Sequence, residues 1–212
     1  SRRVSVDRSL PMFPLGGVLF PGMLLPLQVF EPRYHRLVQD CLGADAPEFG
    51  VVLIERGSEV GGGDVRSDVG SVARILRVQP IDQGRVVLVA GGVRRIAVER
   101  WLDDDPYPRA VVRDWPDTDP SDDLAAVAAE AIRRSRRCLA LAGELGERTE
   151  PLPDELPDDP GVLSNVLAAV APLGPADRQR LLRCEGPTAR FDLLLGLLDE
   201  LDEVQRFRLS GG

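Results

Sequence analysis

The sequence predicts an α+β protein, with a barrel-like β-sheet in its first half and a helical bundle in its second. Between residues 49 and 116, short apolar runs alternate at a period of two and are punctuated by Gly and Pro. That is the pattern of strands in an antiparallel or mixed sheet. At "DWPDTDPSDD", two prolines and five aspartates interrupt the chain. Beyond that point apolar residues recur at the helical period. The expected domains are therefore 1–117 and 121–212.

Taken in order, "PLGGVLFPGMLLPLQVF" is the longest apolar run, and Pro21 and Pro26 break it. It is too short and too interrupted to cross a membrane as a helix. "PLQVFEPRYHRLVQD" then starts extended, turns at Glu31-Pro32, and continues as an amphipathic helix carrying the only histidine, His35. "FGVVLIERG" is a short apolar strand, and "GSEVGGGDVRSDVG" reads as a loop. "GSVARILRVQPI" alternates, with Val72, Arg74, Leu76 and Val78 on one side and Ala73, Ile75 and Arg77 on the other. "GRVVLVAGGVRRIAVERWL" reads as two strands around Gly91-Gly92, and "PRAVVRDWP" as one more.

After the first linker, Ser121 is a plausible helix cap, and Leu124, Val127, Ala128, Ala131, Ile132, Leu139, Ala142 and Leu145 share a helix face. A second linker, "GERTEPLPDELPDDPG", carries four prolines. Val162, Leu163, Val166, Leu167 and Val170 mark the next helix. "PADRQRLLRCEG" is a short one with proline at its start and Gly186 beyond its end. The last helix is expected to be capped by Thr188. Phe191, Leu194, Leu195, Leu198 and Leu201 form its apolar stripe, which Leu193, Leu197, Val204 and Phe207 widen past half the circumference. A stripe that wide needs cover beyond one neighbour. The neighbouring helices are one source of cover. A homodimer or a partner docking on Leu197 and Val204 is the other.

Composition excludes several chemistries. The net charge is -8, opposite to the balance of a phosphate-backbone binder, so DNA is not expected and RNA is disfavoured. All 26 basic residues are arginine. Without lysine there is no P-loop lysine, Ser-Lys dyad or Schiff base. Cys41, Cys138 and Cys184 are widely spaced and odd in number, which argues against a disulfide framework and suits the cytoplasm. "SRRVSVDRSLP" has no signal-peptide apolar region. His35 has no nucleophile elbow beside it, and Cys41 is six residues further along the same helix. No catalytic residue, metal site or cofactor is expected. "RRSRR" at Arg133 to Arg137 is the one basic patch, and reads as a solvated helix face paired with nearby acids.

The residues also resemble a known family. "FPLGGVLFPGMLLPLQVFEPRYHRLVQD" is similar to the opening of the LON substrate-binding domain, the amino-terminal domain of Lon-type ATP-dependent proteases. That domain is also found in stand-alone bacterial proteins and in cereblon. The matching positions are Phe13, Pro14, Leu15, Phe20, Pro21, Gly22, Pro26, Leu27, Phe30, Glu31, Pro32, Arg33 and Tyr34. "VGSVARI", "QGRVVLVAGGVRRIAV", "DDPYPRAVV", "RQRLL" and "RFDLLLGLL" resemble later family signatures in the same order. Arg95 departs from the family pattern, standing where an aromatic is usual.

The resemblance implies a PUA-like β pseudo-barrel followed by a helical subdomain, and "FEPRY" as the strand-to-helix corner. Phe30 and Tyr34 are expected to pack inside. Glu31 is expected to pair with an arginine or cap the helix at Pro32. Arg33, His35 and Arg36 are then left facing outward as candidate contacts for a substrate or partner. The implied function is a non-catalytic module that binds polypeptide segments or a protein partner. Lon proteases carry ATPase and Ser-Lys protease modules, and this lysine-free chain is expected to have neither. The alternatives are a cereblon-like small-molecule binder and an RNA-binding PUA-like protein.

Overall fold

The computed structural model describes residues 8–57, 63–118, 120 and 123–211. Ser121 and residues 58–62 of the glycine-rich stretch lie outside them. The chain divides into two compact units, one ending at Pro116 and one starting at Asp117.

The first unit is built on six strands: β1 (Arg8–Leu15), β2 (Leu24–Val29), β3 (Glu48–Arg56), β4 (Val65–Pro80), β5 (Val86–Leu102) and β6 (Arg109–Asp114). Their order is β2-β5-β4-β3-β1-β6, and β5 also pairs with β6. Strands β5, β4, β3, β1 and β6 therefore close into a barrel. Strand β2 pairs only with the first half of β5, opposite the end of β4. The unit is thus a small barrel with a three-stranded ribbon, β2-β5-β4, extending from it. All pairings are antiparallel except β1 with β3.

Gly91-Gly92 does not separate two strands, as the sequence had suggested; β5 runs straight through. Glycine there serves a close approach. A Cβ on Gly92 would sit 2.3 Å from the carbonyl oxygen of Phe20. Instead the segment before β2 lies directly on the strand, with Gly22 N–H donating to Gly92 O and Gly92 N–H donating to Met23 O, both at 2.8 Å. One residue of β5, Val93, is bulged out between the partners of Val72 and Ala73. Leu76 is bulged from β4 between Ile75 and Arg77. The bulges end the simple alternation expected of β4. Val72 is inside, whereas Arg74 and Leu76 face solvent.

Helix α1 (Pro32–Leu42) begins at the expected corner, with Glu31 as N-cap and proline in its first turn. It lays Tyr34, Leu37, Val38 and Cys41 into a core with Phe13, Phe49, Leu88, Ala90 and Ile75. A second core cluster joins Leu10, Met12, Val52, Val72, Ile96, Ala110 and Val112 inside the barrel.

The second unit holds α2 (Ala125–Glu144), α3 (Pro160–Val170), α4 (Pro175–Leu182) and α5 (Pro187–Leu209). Helices α2 and α5 form its main pair, around Ala131, Cys138, Ala142, Leu194 and Leu198. Arg190 is fully buried at the start of α5. It donates to both carboxylate oxygens of Asp117 at 3.0 and 2.7 Å, to Ser164 Oγ at 2.8 Å and to Leu181 O at 3.3 Å. One planar guanidinium thus ties α3, α4 and α5 to the entering chain. Its bidentate fork makes that possible where a lysine ammonium could not.

Two expectations for α5 are corrected. The helix starts at Pro187 with Gly186 as its N-cap, not at Thr188. Gly186 also allows close contact with Thr118, whose Oγ1 would lie 2.5 Å from a Cβ there. Leu197, expected on an outer face, is 5% exposed, whereas Val204 and Phe207 are 54% and 64% exposed. The apolar stripe is covered along most of the helix and opens only in its last turns. Leu197→Glu should therefore unfold the protein or cost more than about 4 kcal/mol, and Val204→Glu should stay within about 0.5 kcal/mol. Denaturant midpoints of the two variants check this.

Candidate binding face

Charge is unevenly shared. Fifteen arginines stand against fifteen acids through Pro116, and eleven against nineteen from Asp117, so the helical unit carries the whole net charge of -8. Neither unit has an excess of basic residues.

The sequence-predicted contacts on α1 are largely satisfied within the helix. Arg33 Nε lies 3.1 Å from Glu31 Oε2, and its guanidinium sits 4.6 Å from the centre of the Tyr34 ring. Arg36 Nε pairs with Asp40 Oδ1 at 2.9 Å across one exposed turn. His35 is half-buried. Tyr34 is inside as expected, stacked on Phe13 with ring centroids 3.9 Å apart, and burial pushes its phenol up to about 12. Tyr107 donates to Asp40 Oδ2 at 2.8 Å, and burial with that bond pushes its phenol up to about 12.

Phe30 does not pack inside; it is 56% exposed. Alternation along β2 sends Val29 inward, at 1% exposure, so the next side chain points the other way. The aromatic rings in the core with Tyr34 are instead Phe13 and Phe49, whose centroids are 6.0 Å apart.

Two of the three cysteines are buried thiols. Cys41 is buried, with its thiol donating to Glu48 O at 3.4 Å, and burial pushes it up to about 12. Cys138 is likewise buried and pushed up to about 11. Among the described residues, no three His, Cys, Asp or Glu side chains gather as a metal site. No described helix is long and apolar enough to cross a membrane. A cleft of about 430 Å³ lies between α2 and α5, lined by Arg133, Arg134, Arg137, Glu130, Asp199 and Asp202 above Cys138 and Leu198. Its arginines are tied to its own carboxylates: Arg133 and Arg134 to Glu130, Arg134 to Asp199, and Arg137 to Asp202. This is the solvated, acid-paired face expected of the RRSRR stretch.

Two charged groups shape the barrel rim. Glu48 is a carboxylate with only 3% of its side chain exposed. It accepts from Arg74 at 2.7 Å and from Arg94 at 3.3 and 3.1 Å, with Arg8 at 3.9 Å. Burial pushes its carboxyl up, but the bonds from Arg94 and Arg74 outweigh burial and hold it below the usual carboxylate range. Arg95, where an aromatic was expected, is 4% exposed and lies 4.4 Å from the centre of the Trp115 ring. A cation over an aromatic face keeps the site packed.

What sequence reasoning missed is the outer face of the ribbon. Leu25, Leu27, Leu88, Ala90 and Ile75 face the core. Their neighbours in sequence face out. Across β2, β5 and β4 the outer rows are Leu24, Gly91 and Arg74; Pro26, Val89 and Arg77; and Gln28, Val87 and Gln79. Leu24 is 67% exposed and Leu76 is 59% exposed. A Cβ on Gly91 would lie 3.4 Å from Leu76 Cδ1, so Leu76 leans over the glycine towards Leu24. Antiparallel sheets usually turn a polar face to water. This one turns Leu, Pro, Val and Leu outward. The signal was in the sequence: "VVLVAGGV" lacks polar residues at alternate positions, and "LLPLQV" has only Gln28. Such a run reads equally as a strand buried on both sides.

Phe13→Ala should cost about 3–5 kcal/mol, and Phe30→Ala under about 1 kcal/mol, by chemical denaturation. Glu48 holds its proton more weakly folded than unfolded. Its contribution is therefore present above its ordinary value of 4.5 and lost as pH falls through its lower folded value. In Glu48→Gln, the loss of stability on acidification below about pH 4.5 should be shallower than in wild type, as read from thermal melts.

The chain matches the family model described as ATP-dependent protease La (LON) substrate-binding domain over residues 9–200. It is 30% identical to Lon protease 2 of Sorangium cellulosum over 94% of its length, covering 26% of that protein. It is also 30% identical to Lon protease of Roseiflexus castenholzii, over 94% of its length and 25% of the relative. The chain thus spans about a quarter of the length of the curated relatives it matches. Among solved structures it is similar to the Lon N-terminal domain protein from Xanthomonas campestris, with TM-score 0.66, 31% identity and coverage of 89% of this chain and 98% of that one.

Proposed function

The chain belongs to the ATP-dependent protease La (LON) substrate-binding domain family, and from that premise we propose that it is a non-catalytic module that holds polypeptide segments on the outer face of the β2-β5-β4 ribbon. The observation that carries this reading is the exposed apolar surface of Leu24, Leu76 and Pro26, with half-buried Val89 between them, at the edge strand β2. Water wets that face at a cost that an apolar side chain of an unfolded or extended polypeptide relieves. The sheet beneath is rigid, with Leu25, Leu88, Ala90 and Ile75 fixed in the core, so the face needs little ordering before it binds.

Extended chains suit a sheet face and edge better than a deep pocket does. Arg33, His35 and Arg36 belong to the helix that packs on the other side of the ribbon, and Arg33 and Arg36 already hold carboxylate partners, so this reading gives them no direct contact with the bound segment.

The test is binding of a permanently unfolded, reduced and alkylated protein, followed by fluorescence anisotropy. Leu24→Asp with Leu76→Asp should weaken binding by at least roughly tenfold if each buried side chain supplies about 1–2 kcal/mol. Both positions are exposed, so circular dichroism and the melting midpoint should stay near wild type. Unchanged affinity in a folded double variant overturns the reading. ATP hydrolysis is measured alongside, and none is expected.

A further inference from the structure

We infer that the polypeptides held on this face carry an acidic residue beside their apolar ones, met by Arg77. The inference rests on the binding reading above and adds the charge of the substrate to it.

The three strand segments that make the outer face are "LLPLQV" at 24–29, "ARILRVQP" at 73–80 and "VVLVAGGV" at 86–93. They contain no aspartate or glutamate, and two arginines, Arg74 and Arg77. Arg74 is committed to Glu48 at 2.7 Å. Arg77 is exposed and stands opposite Val89, which in turn stands opposite Pro26, so its guanidinium shares the middle row of the face. Its one described side-chain partner is the neutral Gln79 Oε1, at 3.5 Å. Among the described residues it has no ion pair.

Other charges stand at the border, outside the three segments. Asp82 and Arg85 lie on the turn joining β4 to β5, with Arg85 Nε donating to Asp82 O. At the opposite end Arg94 is shared between Glu48 and Asp114, at 3.1 and 2.9 Å. Arg77 is therefore the one cation set within the apolar face without a carboxylate. An incoming carboxylate completes it. An incoming ammonium or guanidinium meets like charge and finds no acid on the three segments. The apolar wall beside Arg77 lowers its hydration once a segment is bound, which strengthens the pairing. Arginine suits this role because its fork can take both carboxylate oxygens.

The experiment uses three dye-labelled peptides with one shared extended apolar core, flanked by Glu, by Gln or by Lys, titrated against the full chain by anisotropy. The Glu-flanked peptide is expected to bind roughly twofold to fivefold more tightly than the Gln-flanked one, the size of one exposed ion pair, and the Lys-flanked one more weakly still. The differences should shrink at 0.5 M NaCl, where the screening length is roughly 4 Å. In Arg77→Gln the Glu-over-Gln preference should vanish, and in Arg77→Glu the order should reverse. Arg148→Glu, an exposed change of equal charge on the helical unit, should preserve the order. Equal affinity for all three peptides, with binding still abolished by Leu24→Asp and Leu76→Asp, overturns the inference and leaves the face standing. Failure of every peptide to bind overturns the face and the inference together.

Discussion

Strand β5 has to belong to two sheets at once, and the β unit depends on how it does so. Over seventeen residues it pairs with β4 from Val86 to Ala97, with β2 at its beginning and with β6 at its end. Its second half closes the barrel. Its first half carries the ribbon. The change of partners falls at Gly91-Gly92, where only a residue without a side chain admits the Phe20 carbonyl. Just past it, Val93 is bulged out. A bulge adds local twist, which lets one strand turn from a flat ribbon into a closed wall. The binding face exists because the ribbon departs from the barrel there, with one side anchored on α1 and the other left to water.

Arginine supplies every basic contact in both units, and its geometry decides how the charges are used. Around Glu48, fixed forks from Arg74 and Arg94 converge on one carboxylate and fasten β3, β4 and β5 at the rim. At Arg190 the relation inverts, with one buried guanidinium serving Asp117, a hydroxyl and a carbonyl. Removing either hub would strand its partners, which is costlier than the net worth of any one bond. On the outer ribbon face, by contrast, Arg77 has among the described residues only the neutral Gln79 as a side-chain partner.

Much of this was legible in the sequence, where local chemistry decides the outcome. The corner at Glu31-Pro32 follows from proline's fixed φ and the helix that begins there. The inward Tyr34 was implied by the family resemblance and agrees with the buried positions Leu37, Val38 and Cys41 on the same helix face. The illegible parts depend on registers set far away. Phe30 faces out because β2 pairs with β5 in a register that puts Val29 inside, and a shift of one residue would have reversed them. Leu197 is covered, although nothing in a broad apolar stripe says which neighbours cover it. Gly186 caps α5 in place of Thr188, and Thr118 lies too close there for any side chain. The outer ribbon face was hidden because unbroken apolar strands look alike whether their second side meets protein or water.

Pro26 sits in the middle of β2, the strand with one pairing partner. Gly92 N–H bonds to Met23 O, so by alternation Leu25, Leu27 and Val29 point their backbone groups at β5, and Leu24, Pro26 and Gln28 point theirs away. Proline therefore removes a donor from the unpaired side, where β5 does not miss it. An open edge beside an apolar face is the usual starting point for chains to zip together into aggregates. A gap in the row of donors spoils that continuous ladder between copies, while leaving the neighbouring carbonyls able to greet a short visiting segment. The same residue can thus keep a sticky surface soluble.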